Sequence, residues 1–295
     1  MAMLIRYLII SGVVLGLGAL IACGSVSTTP PPLPATAELA RQGQRIVEGL
    51  GACGHCHNVS GEPTAPLAGG RLLQDKFGPV SSPNITLAES GIGSWSEGDL
   101  LHLFRAYRRP NGEMIASAFH SGIEWISDND VGAITTYIRS LPAVDNLVEH
   151  RELSFIDRNT TGFFDSMAEV RGLVPQIPRN FKVEYGQYLV DQVARCGSCH
   201  SLPEGIVTSE RYMAGGQEIF FDGASKIAPD ITSSTESGLG EWSAEEMKNF
   251  LMTGRTRDGR QVDSRFCPVR FYRRATPDEI DAVVTYLRTV PSISD

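Results

Sequence analysis

Positive charge is in short supply in this chain. Lysine and arginine number 26 against 34 aspartates and glutamates, for a net charge of −8. A general nucleic-acid binder needs a basic face to neutralise phosphates, so that class is excluded. Long apolar runs are scarce as well. The run from Tyr7 to Ala22 has 16 residues without a charge, short of the ~20 apolar residues of a stable membrane span. No catalytic triad pattern and no phosphate-binding loop appears. What remains is ordinary globular material, 42% hydrophobic and 20% charged, in 295 residues. That length suits two domains.

Cysteine is rare enough to assign residue by residue. Of the six, four form two copies of one spacing, Cys53-Gly54-His55-Cys56-His57 and Cys196-Gly197-Ser198-Cys199-His200. Cys-x-x-Cys-His is the attachment sequence of c-type haem. The two thiols form thioethers with the haem vinyl groups, and the following histidine faces the iron as proximal ligand. A zinc or disulfide pair competes as the reading of one such pentapeptide. Two copies in matched repeats behind an export signal favour haem. His57 and His200 are therefore the firmest candidate iron ligands.

The N-terminus sets the compartment. Arg6 and the apolar run resemble a secretory signal. The run ends Leu20-Ile21-Ala22-Cys23-Gly24, which resembles the lipobox of bacterial lipoproteins, where the cysteine is lipid-modified after cleavage. Ser25 to Thr36 contains Pro30, Pro31, Pro32 and Pro34 and reads as a stiff, extended tether. A lipid anchor at Cys23 is expected to hold the protein to a bacterial membrane, facing the periplasm or the exterior.

The rest is an internal repeat. Gly43–His57 matches Gly186–His200 at an offset of 143. Leu67-Ala68-Gly69-Gly70 matches Met213-Ala214-Gly215-Gly216, and Pro83-Asn84-Ile85-Thr86 matches Pro229-Asp230-Ile231-Thr232. The segment from Ser90 to Trp95 and Ser96 matches that from Ser237 to Trp242 and Ser243. Asp130–Pro142 matches Glu279–Pro291. The expected organisation is a signal peptide over 1–22, a tether over 23–36, a haem domain over 37–145, a linker over 146–179 and a second haem domain over 180–295. Helical spacing of Leu39, Ile46, Val47 and Leu50 predicts a helix leading into the first motif. Ser96 and Ser243 stand where N-caps belong. Asp130–Leu141 predicts a closing helix stopped by Pro142. The fold class expected is mainly α, two tandem cytochrome c-like domains. Gly61–Pro83 and Leu202–Pro229 read as loops long enough to need something to pack on, and a haem ring offers that. The linker carries Phe155, Phe163 and Phe164 and is expected to pack on the domains. Trp95 and Trp242 read as core or haem-wall residues, His102 and His150 as surface residues.

Together, the Cys-x-x-Cys-His, Ala-Gly-Gly, Pro-Asn-Ile-Thr and Gly-Ile-Gly-x-Trp motifs, with the closing Tyr-containing helix, resemble the multihaem cytochrome c subunits of bacterial membrane-bound alcohol and aldehyde dehydrogenases. The resemblance covers nearly all of the mature chain. Those subunits usually carry three haem domains, and this chain has two. In that family a Met-Pro pair follows an Asp-Gly turn, and its methionine binds the iron. Here the turns are Asn111-Gly112 and Asp258-Gly259, and eight residues past each glycine stand His120 and Cys267. Pro268 follows Cys267 as proline follows the family methionine. The resemblance thus implies His120 as distal ligand of the first haem, with Met114 as alternative. For the second it implies Cys267, with Met213 and Met252 as alternatives.

The expected function is electron transfer through two covalent haems, between a donor dehydrogenase or carrier and an acceptor. Some dihaem enzymes of sulfur oxidation, the thiosulfate dehydrogenases, resemble this chain in carrying a His/Cys haem, so oxidation of a small sulfur anion at Cys267 is the alternative. Seven arginines between Arg255 and Arg274, against Asp258 and Asp263 alone, surround Cys267. They read either as neutralisers of haem propionates on a solvated loop or as a dock for an acidic partner or small anion.

Overall fold

A computed structural model describes residues 36–115, 117–156, 169–202 and 211–293. The expected signal, Cys23 and the tether up to residue 35 lie outside the described residues, as do Phe163 and Phe164. The first half holds α1 (Ala37–Val47), α2 (Cys53–His57), β1 (Leu72–Asp75), β2 (Gly78–Ser81), α3 (Glu97–Ala106), α4 (Ser117–His120) and α5 (Asp128–Ser140). The second holds α6 (Lys182–Tyr188), α7 (Gly197–His200), β3 (Glu218–Phe221), β4 (Ala224–Ile227), α8 (Ala244–Thr253), α9 (Val269–Tyr272) and α10 (Pro277–Leu287).

The helices start where the sequence supplies acceptors for their orphan N–H groups. Thr36 caps α1 and Ser127 caps α5. Ser96 with Asp99, Ser243 with Glu246 and Thr276 with Glu279 close reciprocal capping boxes on α3, α8 and α10, each cap worth ~1 kcal/mol. In each half the first helix packs on the last through one glycine. A Cβ on Gly43 would run into the Ala133 carbonyl, and one on Gly186 into the Ala282 carbonyl. Glycine there lets two backbones approach closely. Each half has its own core. Val47, Leu67, Leu100, Tyr107 and Ile134 belong to the first, and Val190, Met213, Phe271, Val283 and Leu287 to the second.

The two Gly/Pro-rich segments are not plain loops. Each contains a hairpin, β1–β2 and β3–β4, and the hairpins join in one antiparallel sheet of order β2-β1-β3-β4. The chain is mostly helical, as expected, and the reading of these two segments as loops is corrected. Leu73 pairs with Phe221, and Leu73, Phe221 and Phe266 form a small apolar cluster between the halves. Ion pairs reinforce the junction: Arg71 with Asp222, Arg270 with Glu62, and Arg274 with Glu48.

The described linker residues are tied to the first half. Asn146 donates to Ser90 and to the Ala68 carbonyl, Arg151 pairs with Asp75, and Val148, Val170 and Val174 are buried. Phe155 itself is 82% exposed. Among the described residues no helix is long and apolar enough to cross a membrane.

Candidate functional site

Both Cys-x-x-Cys-His segments are delivered by the same local geometry. A wide backbone turn closes each lead-in helix: Gly51 N–H donates to the Ile46 carbonyl at 2.9 Å and Ala194 N–H to the Leu189 carbonyl at 2.7 Å. The next residue, Ala52 or Arg195, adopts the left-handed conformation with φ of 46° or 52°. That conformation is uncommon for non-glycine residues, and its occurrence at matched positions marks a built feature. One turn of helix then presents the two cysteines and the histidine.

The Ala-Gly-Gly and Pro-Asn/Asp-Ile-Thr motifs exist to orient that histidine. Gly69 N–H donates to the His57 carbonyl at 2.7 Å and Gly215 N–H to the His200 carbonyl at 2.8 Å. A Cβ on Gly69 or Gly215 would lie 2.5 Å from the carbonyl carbon of Pro83 or Pro229. Asn84 and Asp230 accept from the N–H two residues on, at 2.9 and 2.7 Å, fixing the turn. The Pro83 carbonyl therefore meets His57 Nδ1 at 2.9 Å and the Pro229 carbonyl meets His200 Nδ1 at 2.7 Å. A carbonyl only accepts, so Nδ1 carries the proton and Nε2 keeps its lone pair. Burial pushes both histidines below their ordinary pKa, so the imidazoles stay neutral. A neutral ring with one nitrogen occupied and the other open is the form that ligates a metal.

The distal candidates fall as follows. The His57 and His120 rings lie with centroids 6.2 Å apart, tilted by 45°. Two imidazoles trans on one metal place their ring centres about 6 Å apart, given ~2 Å per metal–nitrogen bond. Met114 sits earlier on the same arm, half-buried, in a bridge to Arg108. Cys267 is half-buried beside the second core, ahead of α9. Burial first, and the neighbouring Cys199 second, push its thiol up to about 12. Met213 is wholly buried in the second core, and Met252 is exposed on α8. Cys53, Cys56, Cys196, Cys199 and Cys267 are all free thiols. Trp95 and Trp242 pack at the margins of the two cores, and His102 and His150 are exposed.

The two motifs are neighbours. Helix α4 packs on α7. His55, only 6% exposed, lies edge-on to Phe221 at 4.8 Å and Phe271 at 6.2 Å, both from the second half. Arg71 donates to the His55 carbonyl. His55, Arg71 and Arg195 were invisible to motif reading. The one available signal was repeat asymmetry, since their counterparts are Ser198, Gln217 and Ala52. The arginines around Cys267 are largely occupied: Arg257 with Glu241 and Glu246, Arg260 with Asp258, Arg265 with Asp263, and Arg270 and Arg274 across the junction.

Comparison with known proteins bears on this geometry directly. Residues 183–291 match the cytochrome c family model. Over those residues the second half is similar to a cytochrome c domain. A cytochrome c domain holds haem c covalently, and its second-half motif fits that group: two free thiols on one turn, and a neutral imidazole whose Nδ1 proton is already engaged. Beyond the domain, the chain is 30% identical over 250 residues to the fructose dehydrogenase cytochrome subunit of Gluconobacter japonicus, covering 81% of this chain and 50% of that protein. It is 29% identical over 264 residues to a diheme cytochrome c-type protein of Cereibacter sphaeroides, covering 86% of each. It is 27% identical over 277 residues to the cytochrome c subunit of a quinone alcohol dehydrogenase of Gluconobacter oxydans, covering 87% of this chain and 56% of that one. The chain thus spans about half the length of the two dehydrogenase subunits and most of the diheme protein. It resembles the cytochrome c subunits of bacterial dehydrogenases.

Proposed function

We propose that the chain is a dihaem c-type cytochrome that takes electrons from a dehydrogenase and passes them to a further acceptor. The observation that carries the count of two is the repetition of the histidine setting. His57 and Pro83 in the first half reproduce His200 and Pro229 in the second, although only the second lies within the matched family domain.

In this reading Cys53 and Cys56 would hold the first haem by thioethers, with His57 and His120 offered to its iron. Cys196 and Cys199 would hold the second, with His200 and Cys267 offered to its iron. When bound, the haem irons supply one-electron chemistry. The protein's part is to fix what surrounds them. Pro83 and Pro229 set ring tautomer and orientation and raise imidazole basicity. Bis-His and His/thiolate sets place both potentials below that of a His/Met carrier. With a side chain offered to each iron, the sites would suit electron transfer. The arginine belt, tied up in ion pairs and in the junction, gives a sulfur anion no evident dock. The packing of α4 on α7 would suit transfer between two haems held by these motifs. The dehydrogenase partner is supported by the relatives, which are named as subunits of such enzymes. Lipidation at Cys23 and the proline-rich tether would keep the carrier at a bacterial membrane, outside the cytoplasm.

Expression of the full chain with a haem-maturation system tests this. The expected product is red, heavier by two haem groups, and reduced to one haem by Cys53→Ser with Cys56→Ser. A wild-type product bearing one haem overturns the dihaem reading. Cys23→Ser should release the protein from the membrane fraction.

A further inference from the structure

Arg195 stands just ahead of Cys196, where the first half has Ala52. Its side chain leaves its own half. Nη1 donates to the Phe119 carbonyl at 2.9 Å, and Nη2 lies 3.4 Å from the Gly51 carbonyl. Phe119 immediately precedes His120, and Gly51 begins the turn that delivers Cys53. One guanidinium therefore joins the distal arm of the first site to the lead-in of its proximal motif. Its planar fork suits two acceptors at once, which a lysine ammonium on a flexible stem matches poorly.

Among the described residues Arg195 makes no ion pair with a carboxylate, and both of its acceptors are neutral carbonyls. Gaining an electron at a site beside a cation is favoured, and more so where water is excluded.

We propose that Arg195 is the positioning residue of the first haem, a cation lent by the second half that pins the His120 arm to the first motif and biases that haem toward its reduced form. The inference rests on reading His57 and His120 as the axial pair. It gives the duplication a division of labour. The second half carries its own site and also completes the first, and no equivalent is returned from Ala52.

The test is potentiometric titration of the full dihaem protein, followed by EPR. The first-haem signals are assigned from the one-haem variant. Arg195→Gln should lower the midpoint potential of the first haem, move the second less, and broaden the low-spin signal of the first. Arg195→Lys should keep the potential while broadening the signal, since charge is retained and the two-point clamp is lost. A merely structural arginine would not separate these readouts. An unchanged first haem in Arg195→Gln, or equal shifts at both haems, overturns the proposal. If Arg195→Gln yields no holoprotein, Arg195→Lys decides: a lowered first-haem potential or an untouched signal overturns it. His120→Met separates the two claims. An unaltered first-haem signal in that variant sinks the axial pair and this inference with it. An altered signal alongside inert Arg195 variants sinks only the role of Arg195.

Discussion

Leu73 of the first half and Phe221 of the second are cross-strand partners, and through them two four-residue-strand hairpins become one sheet. Beside this pair, Arg71 reaches Asp222, donates to the His55 carbonyl, and lies over the Phe221 ring at 4.8 Å. The junction is therefore a packed interior with a buried cation in it, more than a contact of two finished surfaces.

That arrangement makes the two partners unequal. The Arg71 side chain is 4% exposed and that of Asp222 38%. Asp222→Ala strands a buried guanidinium and should cost about 3 kcal/mol. Arg71→Met leaves a carboxylate that water can reach and one unsatisfied carbonyl, and should cost about 1–3 kcal/mol. Urea unfolding of the two holoproteins compares them, and a larger loss for Arg71→Met contradicts the account.

Gly43→Ala and Gly186→Ala should each destabilise by at least about 2 kcal/mol, since the new methyl meets a helix carbonyl rather than a movable side chain. Thermal melts are the measurement. A change within 0.5 °C of wild type in either variant would show that the helix pair is looser than described.

Asp191 gives a pH signature. Burial holds its carboxyl above the ordinary pKa, against the hydroxyl of Tyr212, which donates to it at 2.5 Å and also meets the Tyr286 hydroxyl at 2.7 Å. The folded state thus prefers the protonated acid. The penalty is fully present above the raised folded pKa, fades as pH falls through it, and is gone below the unfolded value of about 4. Asp191→Asn should accordingly be more stable than wild type at neutral pH and no different near pH 4. Denaturant midpoints across that range check the sign, and a neutral-pH loss in the variant would falsify it.

His120→Met and Cys267→Met should each bring in the far-red sulfur-to-iron band of Met ligation and raise the potential of one haem. A spectrum left unchanged by Cys267→Met removes the thiolate from the second site. The same band in wild type would hand a distal position to a methionine, Met114 being the one on the first distal arm.

Much of this was readable residue by residue. The repeat marks both motifs, the capping serines and the closing helices in the sequence itself, because each is a local pattern with a fixed chemical meaning. The sheet was not readable. Its strands are four residues long, β2 contains Gly78 and Pro79, and both hairpins lie in stretches whose composition says loop. Their pairing is decided by how the halves dock, which no local pattern encodes. Arg195 escaped for the same reason, since its acceptors are backbone carbonyls 76 and 144 residues away. The arginine belt was visible as charge, while its partners Glu48 and Glu62 were visible only once the halves were together.

The shared sheet has a practical consequence. A gene fragment ending between the halves would make a polypeptide whose strand β1 ends in bare hydrogen-bonding groups, and the best template for them is the missing hairpin or a sister molecule's. Splitting the protein should thus yield pieces that seek each other or clump.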